Sequence, residues 1–288
     1  MQDEITARVS AAIQPALERT ERERAARKPP ESLDAWECYH RGMWHFANFE
    51  AGEIEKARSF FQGAIELDPR FAPAYAMLAR TYLRESNIIR SELRPHYVPR
   101  ALDYARRAIA IDPTDASGHA ALAGALMNSG RHAEGIAEAD LAVSVDPNSA
   151  AAYGAQASSR AWGGRPRDGI EAVRTAMRLS PFDPRMLNWL HYLARAHYWA
   201  GDYEAAIAVA RQLRHSAPNF RQAYATLMSA FGQTGQIDEA HAVMAEALER
   251  FGEGFQHLMT LPLSVIRELR PEDREHLIEG YRKAGLVA

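Results

Sequence analysis

The chain has 288 residues, 47% hydrophobic and 25% charged, with 34 Lys and Arg against 37 Asp and Glu for a net charge of -3. This composition excludes global disorder, no apolar run reaches the ~18 residues of a membrane span, and the polar, acidic start is not a signal peptide. The slightly acidic balance disfavours nucleic acid as a partner, because phosphate affinity needs a basic face, and a single cysteine, Cys38, excludes an internal disulfide and predicts a cytoplasmic protein of a reducing compartment.

Taken in chain order, residues 2–27 place Ile5, Val9, Ile13 and Leu17 at i,i+4 spacing, the stripe of an amphipathic helix. Pro15 kinks it or starts a new one, and Pro29-Pro30 ends it. Residues 1–30 therefore read as an N-terminal linker helix. Its stripe packs on the next segment, faces an upstream domain, or pairs with a second copy as a homodimer contact.

Proline then sets a period. Glu66-Leu67-Asp68-Pro69 recurs as Ala110-Ile111-Asp112-Pro113, Ser144-Val145-Asp146-Pro147, Leu179-Ser180-Pro181 and Ser216-Ala217-Pro218. The steps between prolines are 44, 34, 34 and 37 residues. A period near 34 is that of the tetratricopeptide (TPR) repeat, two helices per unit, and proline suits the end of the second helix because it cannot continue one. Six repeats follow, near 36–69, 72–113, 116–147, 150–181, 187–218 and 221–252, within an array of 31–253.

The register has a steric test. Close helix crossings at repeat positions 8, 20 and 27 require small side chains. Position 8 reads Gly42, Ala79, Ala123, Ala157, Ala194 and Met228; position 20 reads Ala57, Ala101, Gly135, Gly169, Ala206 and Ala240; position 27 reads Ala64, Ala108, Ala142, Ala176, Leu213 and Ala247. Sixteen of the eighteen are Ala or Gly, too many for chance in this composition. Gly130, Gly164, Gly201 and Gly235 mark the turns within repeats. Repeat 2 carries an insertion around Ser86 to His96, read as longer helices, and repeat 4 places Gln156 and Arg160 where large apolar residues belong, a looser core.

After Gly252 the period fades. Pro271-Glu272-Asp273 starts a helix, with proline in the first turn and acids at its positive end. Leu277, Ile278 and Tyr281 give it an apolar face, so residues 254–288 are expected to form capping helices over the last repeat. The fold class expected is all-α: an α-solenoid, a right-handed superhelix of about six TPR pairs with a helix at each end.

No phosphate loop, HExxH or strand pattern is present, and the Asp-Pro carboxylates sit at helix ends. His40 with His45, and His191 with His197, miss the i,i+4 spacing that aligns two metal ligands. No catalytic residue, metal site or cofactor is therefore expected. The resemblance to TPR proteins implies instead a concave groove lined by positions 5, 9, 12 and 13 of each first helix. Those positions hold Tyr39, Met43 and Phe46, then Arg80 and Arg84, Met127 and Asn128, Trp162, and finally His191, Arg195, Tyr198 and Trp199. Aromatic, Met and Arg side chains are enriched at protein interfaces. The Arg80/Arg84 and His191/Arg195 clusters have the charge to clamp a carboxylate or acidic peptide. The alternative is that a terminal segment of the chain fills the groove, or that these rings pack on one another.

A narrower resemblance lies at the two ends. Gln2-Asp3-Glu4-Ile5-Thr6, Ala25-Ala26-Arg27-Lys28-Pro29-Pro30-Glu31, Leu33-Asp34-Ala35-Trp36-Glu37-Cys38-Tyr39 with Arg41-Gly42, and the closing Arg282-Lys283-Ala284-Gly285-Leu286 resemble the C-terminal TPR region of bacterial class III adenylate/guanylate cyclase-like proteins. The same region follows winged-helix domains in similar regulators. The resemblance implies a piece of a longer signalling protein, a sensing or docking role, and a protein or peptide ligand. It supplies no catalytic residue, because the metal-binding aspartates of the cyclase domain are missing from these residues. A free-standing adaptor, or a small-molecule or enzymatic site near Trp162, His191 and Arg195, are the other readings.

Overall fold

The computed structural model describes residues 20–21, 33–48, 52–86, 93–183, 185–252, 255 and 270–287. The N-terminal stripe from Ile5 to Leu17, and with it the homodimer contact, lies outside the described residues. Among those described there are thirteen helices and no strand. They are α1 (Ala35–Ala47), α2 (Glu53–Leu67), α3 (Ala72–Arg84), α4 (Arg94–Ile111), α5 (Ala116–Asn128), α6 (His132–Val145), α7 (Ala150–Trp162), α8 (Pro166–Leu179), α9 (Met186–Trp199), α10 (Tyr203–Ser216), α11 (Arg221–Thr234), α12 (Ile237–Phe251) and α13 (Pro271–Lys283). None is long and apolar enough to cross a membrane.

The chain divides into two compact units, residues 1–156 with 175–184, and 157–174 with 185–288. In the first, α1 packs on α2, α3 on α4 and α5 on α6, and each following first helix stacks on the pair before it. In the second, α9 packs on α10, both pack on α11, and α11 carries α12 on one side and α13 on another.

Short local signals start and stop the helices. Asp34 begins α1 with a capping box: its carboxylate accepts from the Glu37 amide at 2.8 Å, and Glu37 accepts from the Asp34 amide at 3.3 Å. The Asp-Pro motifs end the second helices. Asp68, Asp112 and Asp146 accept from the amides of Arg70, Thr114 and Asn148 at 2.9, 2.9 and 3.0 Å, which turns the chain into the next repeat. The hydrogen bonds from Thr114 hold the Asp112 carboxyl below its usual range. This is a structural use of each carboxylate, as expected for residues beside turn prolines.

The crossing positions are closed to solvent. Ala57, Ala79, Ala101, Ala123, Ala206 and Ala240 are all fully buried. A methyl on Gly42 would enter the Phe61 ring, and one on Gly169 would stand 2.9 Å from the Ala157 carbonyl. The fully buried Phe61 fills the space that Gly42 leaves. Met228 and Leu213, the two exceptions in sequence, are fully buried as well. Among the turn glycines, Gly130 has φ 79° and Gly201 φ 82°, the left-handed region that non-glycine residues avoid.

The insertion in repeat 2 leaves α4 as the longest helix, 18 residues with Pro99 inside it. The side chain of Gln156 is buried and donates to Asp140 at 2.8 Å, so the polar residue in repeat 4 is satisfied within its unit. Cys38 is buried, and burial together with Asp34 and Glu37 raises its thiol pKa, leaving an unreactive core thiol.

Candidate functional site

The groove residues of the first unit are absorbed by the fold. Tyr39, Met43 and Phe46 project from α1 onto the apolar core and are partly buried there. Arg80 and Arg84, one turn apart on α3, lie over the Phe46 ring at 5.7 and 4.8 Å. Arg84 also donates to the carbonyl of Phe46 and to that of Asn48 at 3.0 Å. These are orphan carbonyls at the C-terminus of α1, where a cation is favoured. Burial and the neighbouring Arg80 push Arg84 down to about 10, which still leaves it cationic at neutral pH. Arg84 is thus a cap for the preceding repeat. Met127 is buried against Gly135. Asn128 donates to the Gly124 carbonyl at 2.9 Å and accepts from Arg94 at 3.0 Å through Oδ1.

The second unit gathers its residues differently. His191, Arg195 and Trp199 stand one turn apart on a single face of α9. Trp162, the last residue of α7, meets His191 edge-on at 5.8 Å and Trp199 at 5.1 Å. The Arg195 guanidinium lies 5.5 Å over the Trp199 ring. Phe220 closes the cluster 5.6 Å from His191, and Tyr192 stands 5.4 Å from Trp162.

Two polar atoms in this cluster are buried with no hydrogen-bond partner among the described residues: Nδ1 of His191 and Nε1 of Trp199. An unmet buried donor costs about 1–3 kcal/mol, and native proteins keep few of them. Burial and the charge of Arg195 push His191 down to about 3, so its imidazole is neutral at physiological pH. The positive charge expected of the His191/Arg195 pair therefore belongs to Arg195. Beside Trp199 a cleft of about 370 Å³ is lined also by Gly164, Arg165, Pro166, Arg167, Asp168 and Ala200.

Tyr198 leaves this group. It is fully buried, and its hydroxyl donates to the His276 carbonyl of α13 at 2.7 Å. Burial raises its phenol to about 12. Phe220, in the ring cluster, and Arg167, in the wall of the cleft, are missed by the repeat register, because Phe220 precedes its helix and Arg167 belongs to a second helix. A signal for Phe220 exists in hindsight: Phe71 holds the same place before α3 and packs on Tyr39 at 5.4 Å. Two other histidines of the first helices have carboxylate partners. His45 Nδ1 lies 2.7 Å from Glu53, and His197 Nδ1 lies 3.4 Å from Asp202. Among the described residues no three His, Cys, Asp or Glu side chains converge as a metal site.

A tetratricopeptide repeat family model matches residues 190–219, which include most of α9 and all of α10. The fold is that of a TPR solenoid. A TPR protein of Thermus thermophilus superposes with a TM-score of 0.53 at 19% identity, covering 68% of this chain and 98% of that one. A chain of the APC/C hetero-tetramer Cut9-Hcn1 gives 0.63 at 13% identity over 92% of this chain, which spans only 46% of that chain. Human IFIT1, solved as a dimer with m7Gppp-AAAA, gives 0.64 at 16% identity, covering 88% of this chain and 59% of its own. At these identities the likeness is one of fold. No curated protein matches the sequence significantly.

Proposed function

We propose that this TPR array is a non-catalytic interaction module, and that the inner face of repeat 5 binds an acidic peptide or a chain-terminal carboxylate. The observation that carries this reading is the pair of buried, unpartnered atoms at His191 and Trp199 beside the Arg195 cation. Indole Nε1 is a donor only, and a neutral imidazole protonated on Nδ1 is a second donor. A carboxylate supplies acceptors for both, in a field that Arg195 makes favourable. Trp162, Trp199 and Phe220 provide rings for an apolar neighbour of that carboxylate, and the adjoining cleft has room for further residues.

Selection from a random peptide display library tests the reading. The selected peptides should be acidic or carboxyl-terminal, and their affinity should fall with salt. Trp199→Phe, which keeps a ring and removes the Nε1–H, should weaken them about tenfold, the effect of one charge-assisted hydrogen bond. Selection of neutral or basic peptides unaffected by Trp199→Phe would refute the site.

The finer part of the proposal is that the module regulates an attached effector, as the C-terminal region of an adenylate cyclase-like signalling protein in the bacterial cytoplasm. It is supported by the resemblance of residues 2–6, 25–31, 33–39, 41–42 and 282–286. A native product well above the mass of these 288 residues, carrying a cyclase domain upstream, is the expected finding. A winged-helix domain there, or a product of this length alone, would replace this part of the reading and leave the groove intact.

A further inference from the structure

The cleft beside Trp199 lies in the same compact unit as the ring cluster, and Trp199 is common to both. Its ring meets Trp162 edge-on at 5.1 Å and also forms one wall of the cleft. A ligand anchored at the Trp199 indole therefore has its next group in the cleft. The other walls come from Ala200 and from Gly164 to Asp168, the turn that opens α8.

The charges around this turn are not equally engaged. Arg165 donates from Nε to Asp168 at 2.7 Å, and its Nη2 lies 2.6 Å from the same oxygen. The Asp168 carboxylate is thus neutralised within the turn. Arg270 lies against Gly164, where a Cβ would overlap its guanidinium. It is held by Asp273 at 2.7 and 2.9 Å and by Glu272 at 3.0 Å. Arg167 is exposed and makes no hydrogen bond or ion pair among the described residues.

Nothing in the fold asks for a cation at this position. Arg167 is the second residue of α8, and the first turn of a helix favours acids because its amide end is positive. The turn glycines Gly130, Gly164, Gly201 and Gly235 set a common register, all with positive φ. Three residues after them stand Ala133, Arg167, Glu204 and Asp238. Repeats 5 and 6 thus follow the dipole preference, and repeat 4 reverses it. A local preference broken with no compensating contact points to a position kept for a ligand.

We infer that Arg167 is a specificity-determining residue that receives an acidic side chain of the bound peptide, so that the ligand carries two anionic groups, one at His191 and Trp199 and one in the cleft. This inference rests on the carboxylate site proposed above and adds to it the turn of repeat 4.

The probes are fluorescein-labelled hexapeptides of Gly and Ala that end in Phe with a free carboxylate. One Glu is placed in turn at each of the first five positions, and binding to the full-length chain is read by anisotropy. One Glu position should bind about three- to fivefold more tightly than the Glu-free parent, the effect of one exposed ion pair, and the gain should fade in high salt. Arg167→Ala should abolish that gain and leave the affinity of the parent unchanged. Arg167→Glu should reverse it, so that Lys at the same position binds better than Glu. Both variants should fold, because Arg167 is exposed. A parent peptide that weakens with Trp199→Phe, with no Glu position that responds to Arg167, overturns the inference and leaves the carboxylate site standing. A Glu gain that survives Arg167→Ala overturns it as well. A gain that follows Arg167 while Trp199→Phe changes nothing keeps the role of Arg167 and removes the carboxylate anchor. Binding of none of the peptides to the wild type overturns both.

Discussion

Repeats 1–2 and repeat 5 present the same register positions with opposite outcomes. Tyr39 and His191 occupy equivalent places, and each meets the phenylalanine before the next repeat, Phe71 at 5.4 Å and Phe220 at 5.6 Å. One position further round, Arg84 and Trp199 are also equivalent. Arg84 reaches the C-terminal carbonyls of α1 and seals that end of the first unit. Among the described residues Trp199 Nε1 reaches no acceptor, and His191 Nδ1 has no hydrogen-bond partner. A groove-facing position thus becomes architecture where a neighbouring helix end offers acceptors. It remains a candidate ligand contact where none is offered.

Stability separates the two regions most readily. Phe61→Ala empties the fully buried space against Gly42 and should cost about 3–5 kcal/mol in equilibrium denaturation. Arg84→Ala comes next. It uncaps two carbonyls and removes the cation over Phe46, and about 1–2 kcal/mol should be lost given its partial exposure. Peptide affinity at repeat 5 should not change with either substitution. For Trp199→Phe the relief of an unmet buried donor, about 1–3 kcal/mol, opposes the packing lost against Trp162 and Arg195, so a net change within about 1 kcal/mol is expected.

Acid distinguishes them in a second way. His191 has an ordinary pKa of 6.5 and is pushed to about 3 in the folded chain. The unfolded chain therefore binds the extra proton first, and stability contributed by the neutral imidazole is lost as pH falls from 6.5 towards 3. Glu53, hydrogen-bonded by Lys56 and His45, is pulled from 4.5 to about 2. Its contribution is present above pH 4.5 and is lost only as pH falls towards 2. His191→Gln should reduce the earlier loss, leaving the part due to His276, whose imidazole burial also pushes down, and Glu53→Gln should remove the later one, in thermal melts followed across pH. An earlier loss of unchanged size in His191→Gln would contradict the buried neutral imidazole.

The fold was legible because its rule is local. A small residue at sixteen of the eighteen crossing positions, and a proline turn at the end of each of the first five repeats, can be read without knowing any distant contact. The site was legible only in part. The register places Arg84 and Trp199 on the same face, but whether an acceptor awaits each depends on a helix end 36 or 38 residues away, as for Arg84. Tyr198 illustrates the same limit. Its partner is a carbonyl 78 residues downstream, and nothing in the repeat pattern pairs Gly232 with Gly280. The C-terminal helix was expected as a cover for the last repeat; its docking also on Tyr198 and Tyr203 of the preceding one follows from that backbone approach.

The most direct measurement compares one selected acidic peptide across three chains by calorimetric titration: wild type, Arg84→Ala and Trp199→Phe. Affinity should be unchanged for Arg84→Ala and fall about tenfold for Trp199→Phe, with the stabilities ordered the other way. Affinity that falls with Arg84→Ala, or holds with Trp199→Phe, would place the ligand on the first unit or off this face altogether and overturn the assignment of repeat 5.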